Sequence, residues 1–407
     1  MNALTKCSYR LVQKVMKVGI TIMNFREPEI INGLDKLPDV VRKEGLNSVI
    51  IVTDNYLHNV GKLIEGLKAG LEEKGIKYVV YDKTVPNPTI GNIEEAYALY
   101  KENDCQGIIA FGGGSPMDCA KGVGCKVVRP DKPISKMKGT FKVGKKLPPL
   151  FAIPTTSGTG SEATVAAVVS NPETHEKYPI NDPVLIPKYA VLEPSLTLGL
   201  PKHITSTTGM DALTHAVEAY IGKSNSEKTK EWSVKATKLI FENLEAVYND
   251  GSDLKKRKNM QWASFYAGEA FTRAYVGYVH AIAHSLGGRY GIPHGLANAV
   301  ILPHVLDYYG ESVYKPLAEL ANAVGIKGAT DEVKAKAFIQ EIKDMNARMN
   351  IPTQLKGIKA EDIPEMVEHA YAESHPAYPV PKFMDKKALT AMYYEIMAPE
   401  ETEAEAK

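Results

Sequence analysis

Short β-branched runs alternate with segments of helical period across residues 48–127, and this alternation limits the fold more than any other feature of the chain. Residues 48–53, 78–81 and 107–111 read as strands; residues 60–74, 93–102 and 116–127 read as helices. Strands that are each separated by a helix line up in parallel, with helices on both faces and ligands beyond the carboxyl ends of the strands. From about Pro201 the pattern becomes helical throughout, as in Trp232, Ala236, Leu239, Ile240 and Leu244, and again in Phe338, Ile342, Met345 and Met349. A length of 407 residues is long for one core. Two domains are expected: an α/β domain over 1–200, carrying a helical N-terminal extension, and an all-helical domain over 201–407.

In that extension Leu11, Val12, Val15, Met16 and Gly19 recur at helical spacing, which predicts an amphipathic helix packed on the protein or on a second subunit. Lys14 and Lys17 interrupt its apolar character, and the stretch is too short to span a bilayer. A net charge of +1 gives no reason to expect nucleic acid or a membrane surface as partner. The four cysteines, Cys7, Cys105, Cys119 and Cys125, lack CxxC spacing and read as reduced thiols of a cytoplasmic protein. The acidic end, residues 399–407, reads as a solvated, frayed tail.

Chemistry concentrates in residues 270–306, which hold four of the ten histidines, His280, His284, His294 and His304, in an apolar, glycine-punctuated run. A buried imidazole needs a partner, and neutral imidazole is a common metal ligand. His280 and His284 stand four apart and share a helix face, and the turn at Gly291-Ile292-Pro293 lets His294 approach the same point. Upstream, Asp211 and His215 in GMDALTHAVEAY also stand four apart. A carboxylate with imidazoles and no thiolate suits Fe(II), Zn(II) or Mn(II), among which the residues do not choose. Periodicity alone does not separate His284 from the other histidines as a ligand. No HExxH is present, which argues against a zinc protease of that type.

Three pieces of the first half suit a dinucleotide. GGGSPMDCAK follows the third strand: Gly112, Gly113 and Gly114 allow close backbone approach, Ser115 can cap the helix that Pro116 opens, and a helix N-terminus favours a pyrophosphate. Asp54 ends the first strand, where a carboxylate can accept both hydrogen bonds of a ribose diol and repel a 2′-phosphate, favouring NAD over NADP. In PTTSGTGSEAT the hydroxyls of Thr155, Thr156, Ser157 and Thr159 read as donors to phosphates and ribose. Its GxGxxA match is misleading, because the usual fingerprint opens the first βαβ unit. Lys177 can reach the nicotinamide ribose.

Together GGGSPMDCAK, PTTSGTGSEAT, GMDALTHAVEAY and GYVHAIAHSLGGRYGIPHGLANAVILPH closely resemble the iron-containing (group III) alcohol dehydrogenase family, over about residues 24–395. The resemblance implies a Rossmann-like N-terminal domain that binds NAD, a helical C-terminal domain that holds one divalent metal, and the architecture shared with dehydroquinate synthase. It implies Asp211, His215, His280 and His294 as metal ligands, with Fe(II) ahead of Zn(II), and His284 beside the metal without ligating it; there His284 reads as a relay of the hydroxyl proton to solvent or as a structural histidine supporting the ligands. It further implies Asp54, Asn87, Gly113, Gly114, Ser115, Thr155, Thr156, Val165, Lys177 and Leu196 as cofactor contacts. The reaction implied is hydride transfer between NAD(H) and a small primary alcohol, diol or aldehyde whose oxygen the metal polarises, in a cleft between the domains of a homodimer.

The chain departs from the family pattern in its long N-terminal extension and at Arg273 and Tyr275. A guanidinium at 273 could select a carboxylate or hydroxyl-bearing substrate, or be engaged within the helical domain. Two other readings compete: a lyase using NAD transiently on the same architecture, and a non-catalytic binding protein. The first lacks a basic constellation beyond Arg273 and Arg289, and the intact ligand set speaks against the second.

Overall fold

The computed structural model describes residues 1–23, 25–173 and 176–399, so the acidic tail from 400 onward lies outside the described residues. Its strands are, in chain order, β1 (Glu29–Asn32), β2 (Ser48–Val52), β3 (Lys77–Tyr81), β4 (Gly107–Gly112), β5 (Gly139–Thr140), β6 (Leu150–Pro154), β7 (Ala166–Asn171), β8 (Glu176–Asn181) and β9 (Tyr189–Leu192). Six of them form one sheet in the order β1-β9-β6-β4-β2-β3, every neighbouring pair parallel. β5, β8 and β7 form a small second sheet.

The helices of this α/β unit are α2 (Leu37–Lys43), α3 (Glu65–Glu73), α4 (Ile90–Glu102) and α5 (Gly114–Val128), after α1 (Ala3–Met23), which belongs elsewhere. Because strand side chains alternate, β2 and β4 feed two cores. Ile50, Val52, Ile108 and Ala110 pack with Ile93 and Ala96 of α4 and Ala120 and Val123 of α5. Val49, Ile51, Ile109 and Phe111 pack with Leu37 and Val41 of α2 and Leu67 and Leu71 of α3. Burying each such Ile or Val contributes roughly 1.5–3 kcal/mol, so the middle of the sheet is the rigid part and its strand ends are free to carry loops.

The second unit is helical: α6 (Lys202–Ile221), α7 (Glu227–Asn249), α8 (Leu254–Ala274), α9 (Tyr278–Tyr290), α10 (His294–Tyr309), α11 (Tyr314–Ala323), α12 (Asp331–Arg348), α13 (Ile363–Ser374) and α14 (Lys386–Ile396) follow one another. Helix α6 is buried continuously from Gly209 to Ile221, as expected of a helix apolar on every side.

The compact units differ from a single cut at residue 200 in two places. Residues Met1–Asn24 group with the helical unit, and Gly251–Thr272, most of α8, groups with the sheet unit. The physical reason for the second is a backbone crossing. Gly160, at φ +57°, brings its own chain against α8, where its N–H donates to Ser264 Oγ at 3.1 Å. A Cβ on Gly268 would lie 2.6 Å from the Gly160 oxygen, and one on Gly160 would lie 2.6 Å from the Ser264 oxygen. Gln261 Nε2 adds donations to the carbonyls of Pro154 (3.3 Å) and Glu193 (3.2 Å).

The first follows from α1, which docks by the face that periodicity did not select. Gln13 is buried, whereas Leu11 and Val15 are 64% and 65% exposed. The apolar stripe faces outward on this chain, and polar side chains make the contacts.

Gly268→Ala should therefore cost about 1–3 kcal/mol through forced backbone movement, seen as a lowered unfolding temperature. Gly288→Ala, where an added Cβ meets nothing within 4 Å, should leave that temperature unchanged or raise it; equal losses for both would remove the crossing as the cause.

Candidate metal centre and cofactor crevice

Asp211 and His215 lie one turn apart on α6, His280 is in the first turn of α9, and His294 is the first residue of α10. These three elements bring one donor atom from each residue to within 4.8 Å of all the others. His294 Nε2 is 3.5 Å from Asp211 Oδ1, and the His215 and His280 rings lie 4.5 Å apart. Asp211 is 2% exposed, and burial pushes its carboxyl above the ordinary range. His280 is held well below the usual imidazole value, first by burial and then by the neighbouring histidines, so its imidazole is neutral at physiological pH.

Two residues outside the sequence-derived set complete the pocket. Glu218, two turns beyond Asp211 on α6, accepts from His280 Nδ1 at 2.6 Å and from the N–H groups of Gly277 (2.8 Å) and Val279 (2.9 Å). Because Nδ1 donates, the Nε2 lone pair of His280 is presented to the centre. Burial raises the Glu218 carboxyl to about 8, against the backbone N–H groups of Gly277, Val279 and His280. Asn298, one turn after His294, donates from Nδ2 to Asp211 Oδ1 at 2.6 Å and lies 3.2 and 3.1 Å from His280 Nε2 and His294 Nε2. Its buried Oδ1 has no hydrogen-bond partner among the described residues.

One carboxylate and three imidazoles, without thiolate, fit a divalent cation of the Fe(II) or Zn(II) kind. The structure separates the remaining histidines, which periodicity could not do. His284 Nδ1 is 2.7 Å from Glu373 Oε1, and its ring stacks on His294 at 5.3 Å, beside the ligand cluster rather than in it. His304 bonds Glu395 Oε1 at 2.8 Å and contacts the Thr353 carbonyl. Arg273 lies over the Trp232 ring, 5.0 Å from its centroid, so the guanidinium is engaged within the helical unit.

In the sheet, β3 lies on one side of β2 and β4 on the other, so the strand order reverses at β2. A crevice is expected at the carboxyl ends of β2 and β4, and there stand Asp54 and the glycine turn. Asp54 Oδ1 accepts from the Leu57 N–H at 3.0 Å, which fixes the carboxylate. Helix α5 starts at Gly114, capped by Gly113 without a side-chain bond. Ser115 is therefore inside the helix and not its cap; its Oγ accepts from the Asn87 N–H at 3.2 Å. Asn87, at φ +58°, accepts on Oδ1 from Lys177 at 2.6 Å. Three expected cofactor residues are thus joined in one chain of contacts.

The glycine turn and the threonine-rich loop meet: Thr155 N–H donates to the Gly112 carbonyl at 3.1 Å, and a Cβ on Gly113 would stand 3.4 Å from Thr156. Val165 gives its carbonyl to the Asp182 N–H. Leu196 is packed into the sheet core. Lys121, which sequence reasoning passed over, binds these walls together. Its enclosed Nζ donates to the carbonyls of Ser161 (2.8 Å), Thr164 (3.1 Å) and Ala166 (2.8 Å) and to the hydroxyls of Ser161 and Thr164. Burial lowers this amine to about 8, with Asp118 and Glu162 opposing. A lysine on a helix face that otherwise carries apolar residues was its only sequence signal.

A parallel α/β unit with a glycine turn at its switch point, in one chain with a buried Asp-His centre on helices, defines a dinucleotide- and metal-dependent dehydrogenase. The chain belongs to the iron-containing alcohol dehydrogenase family: residues 30–194 match the description "Iron-containing alcohol dehydrogenase" and residues 205–397 match "Fe-containing alcohol dehydrogenase family, C-terminal". It is 39% identical over 341 residues to alcohol dehydrogenase 4 of Saccharomyces cerevisiae, covering 83% of this chain and 88% of that protein. The crystal structure of a 1,3-propanediol oxidoreductase superposes with a TM-score of 0.87 at 34% identity, over 92% of this chain and 99% of that one. A sulfoacetaldehyde reductase from Bifidobacterium kashiwanohense, solved in complex with NAD+, superposes with a TM-score of 0.82 at 28% identity, over 93% and 99%. The protein is accordingly an NAD-linked, metal-containing oxidoreductase of alcohols and aldehydes.

Glu218→Gln should weaken divalent metal binding about 10- to 100-fold, read as Co(II) affinity by absorption titration. An unchanged affinity would show that the carboxylate does not hold His280 in its ligating tautomer.

Proposed function

We propose that Asp211, His215, His280 and His294 hold one divalent cation, Fe(II) in the first place and Zn(II) as the alternative, for the interconversion of small primary alcohols or diols with their aldehydes. The observation that carries this reading is the convergence of those four donors. A cation held there supplies a Lewis acid toward the substrate oxygen, and NAD supplies the hydride acceptor.

The chain's own residues do the rest. The hydrogen bond between His284 Nδ1 and Glu373 leaves Nε2 of that imidazole as an acceptor, placed by ring stacking next to a ligand histidine. His284 Nε2 takes the hydroxyl proton and, being part exposed on its side chain, passes it to water; the Glu373 carboxylate holds the ring through Nδ1.

NAD is held by Gly113, Gly114 and Ser115 at the α5 N-terminus, by Thr155 and Thr156, and by Asn87 with Lys177, while Val165 and Leu196 give apolar contact. Asp54 receives the ribose diol and disfavours a 2′-phosphate. The four free thiols accord with a reducing compartment such as the cytoplasm. The exposed apolar stripe of α1 accords with a homodimer or larger homo-oligomer.

The test is a panel of aldehydes with NADH or NADPH, using protein stripped of metal and reloaded with Fe(II) or Zn(II) separately. Stripped protein should be inactive and reloading should restore NADH oxidation. Asp54→Gly should narrow the preference for NADH over NADPH by about tenfold or more, a difference near 1.4 kcal/mol. Turnover that survives complete metal removal would sink the assignment of the four ligands.

A further inference from the structure

Residues 376–383, PAYPVPKF, form a segment that cannot satisfy its own backbone. Pro376, Pro379 and Pro381 carry no N–H, and the segment's own backbone bonds include Tyr378 N–H to the Ser374 carbonyl and Val380 N–H to the Tyr378 carbonyl. Helix α1 supplies donors from elsewhere in the chain. Gln13 Nε2 reaches the carbonyls of Pro376 (2.9 Å) and Tyr378 (2.7 Å), and Arg10 reaches those of Val380 (2.7 Å) and Pro381 (3.1 Å). Arg10 Nη1 also donates to Gln13 Oε1 at 2.8 Å, tying the two together, and its guanidinium lies 4.1 Å from the Phe383 ring centroid. This explains why α1 docks by a polar face.

The segment leads to the metal centre in two hydrogen bonds. Tyr378 donates its hydroxyl to Glu373 Oε1 at 2.6 Å, the same oxygen that His284 Nδ1 meets at 2.7 Å. One turn of proline-rich backbone thus sets the tyrosine, the tyrosine sets the carboxylate, and the carboxylate sets the plane of the imidazole.

We propose that the N-terminal helix is a strap whose Gln13 and Arg10 are positioning residues for the His284 imidazole, acting through the 376–383 backbone, Tyr378 and Glu373. This deepens the proton-relay reading given above and rests on it.

The test uses the metal-loaded full chain. Gln13→Met keeps the side-chain bulk and removes both donations; it should lower kcat for alcohol oxidation about tenfold, with bound metal, KM for NAD and KM for alcohol unchanged. Tyr378→Phe should lower kcat by a similar factor, and the double variant should be no slower than Tyr378→Phe alone, because both act on one path. Lys14→Ala, at an exposed position of the same helix outside the apolar stripe, should leave kcat unchanged. Multiplying losses in the double variant, or an equal loss in Lys14→Ala, would overturn the proposal. Gln13→Met at full kcat beside an impaired Tyr378→Phe would sink the strap alone. Unimpaired Tyr378→Phe and His284→Asn would instead sink the relay.

Discussion

Two carboxylates buried two turns apart on one interior helix set the terms for the rest of the helical unit. Water does not solvate Asp211 or Glu218, so each must be answered by donors or by positive charge. Glu218 is answered by two backbone amides and an imidazole N–H. Asp211 has one amide donor and three imidazoles around it, of which His280 is kept neutral by burial. The entry of α9 and the start of α10 are fixed by these demands, since His280 and the amides of Gly277 and Val279 come from one and His294 and Asn298 from the other. A divalent cation answers the charge of Asp211 and uses every neutral lone pair around it, which is why the centre reads as a metal site and not as a polar core.

Much of this was legible in the sequence. Alternating β-branched runs gave the parallel sheet because each buried strand lacks polar residues and each crossover carries a helical period. Asp211 with His215, and His280 with His284, stood out by fourfold spacing in apolar surroundings, and the turn at Gly291-Ile292-Pro293 let His294 approach the same point. Glu218 and Asn298 had the same kind of signal, an acid three after His215 and an amide four after His294, and were passed over. The separation of His284 from the ligands was not legible without a resemblance, because it depends on Glu373, 89 residues away, and no local pattern encodes that contact.

Ser115 was expected to cap a helix opened by Pro116, yet the helix begins at Gly114. Helix α1 was expected to pack on the protein or on a second subunit; within this chain Gln13 and Arg10 make the contacts while Leu11 and Val15 stay exposed. The deciding factor for its docking face is the need of backbone carbonyls for donors, which hydrophobic periodicity does not see.

The sheet unit is discontinuous along the chain, with Gly251–Thr272 returning to it after α6 and α7 belong to the other unit. During synthesis, the strands leave the ribosome well before the helix against which Gly160 must close. The nascent sheet therefore waits, with one loop uncovered, until residues up to 272 have emerged, and α1 waits longer still for the proline segment near the end. Such a chain gains from chaperone shelter while it is being made, and it cannot be cut at the visual border between its units without leaving one half incomplete.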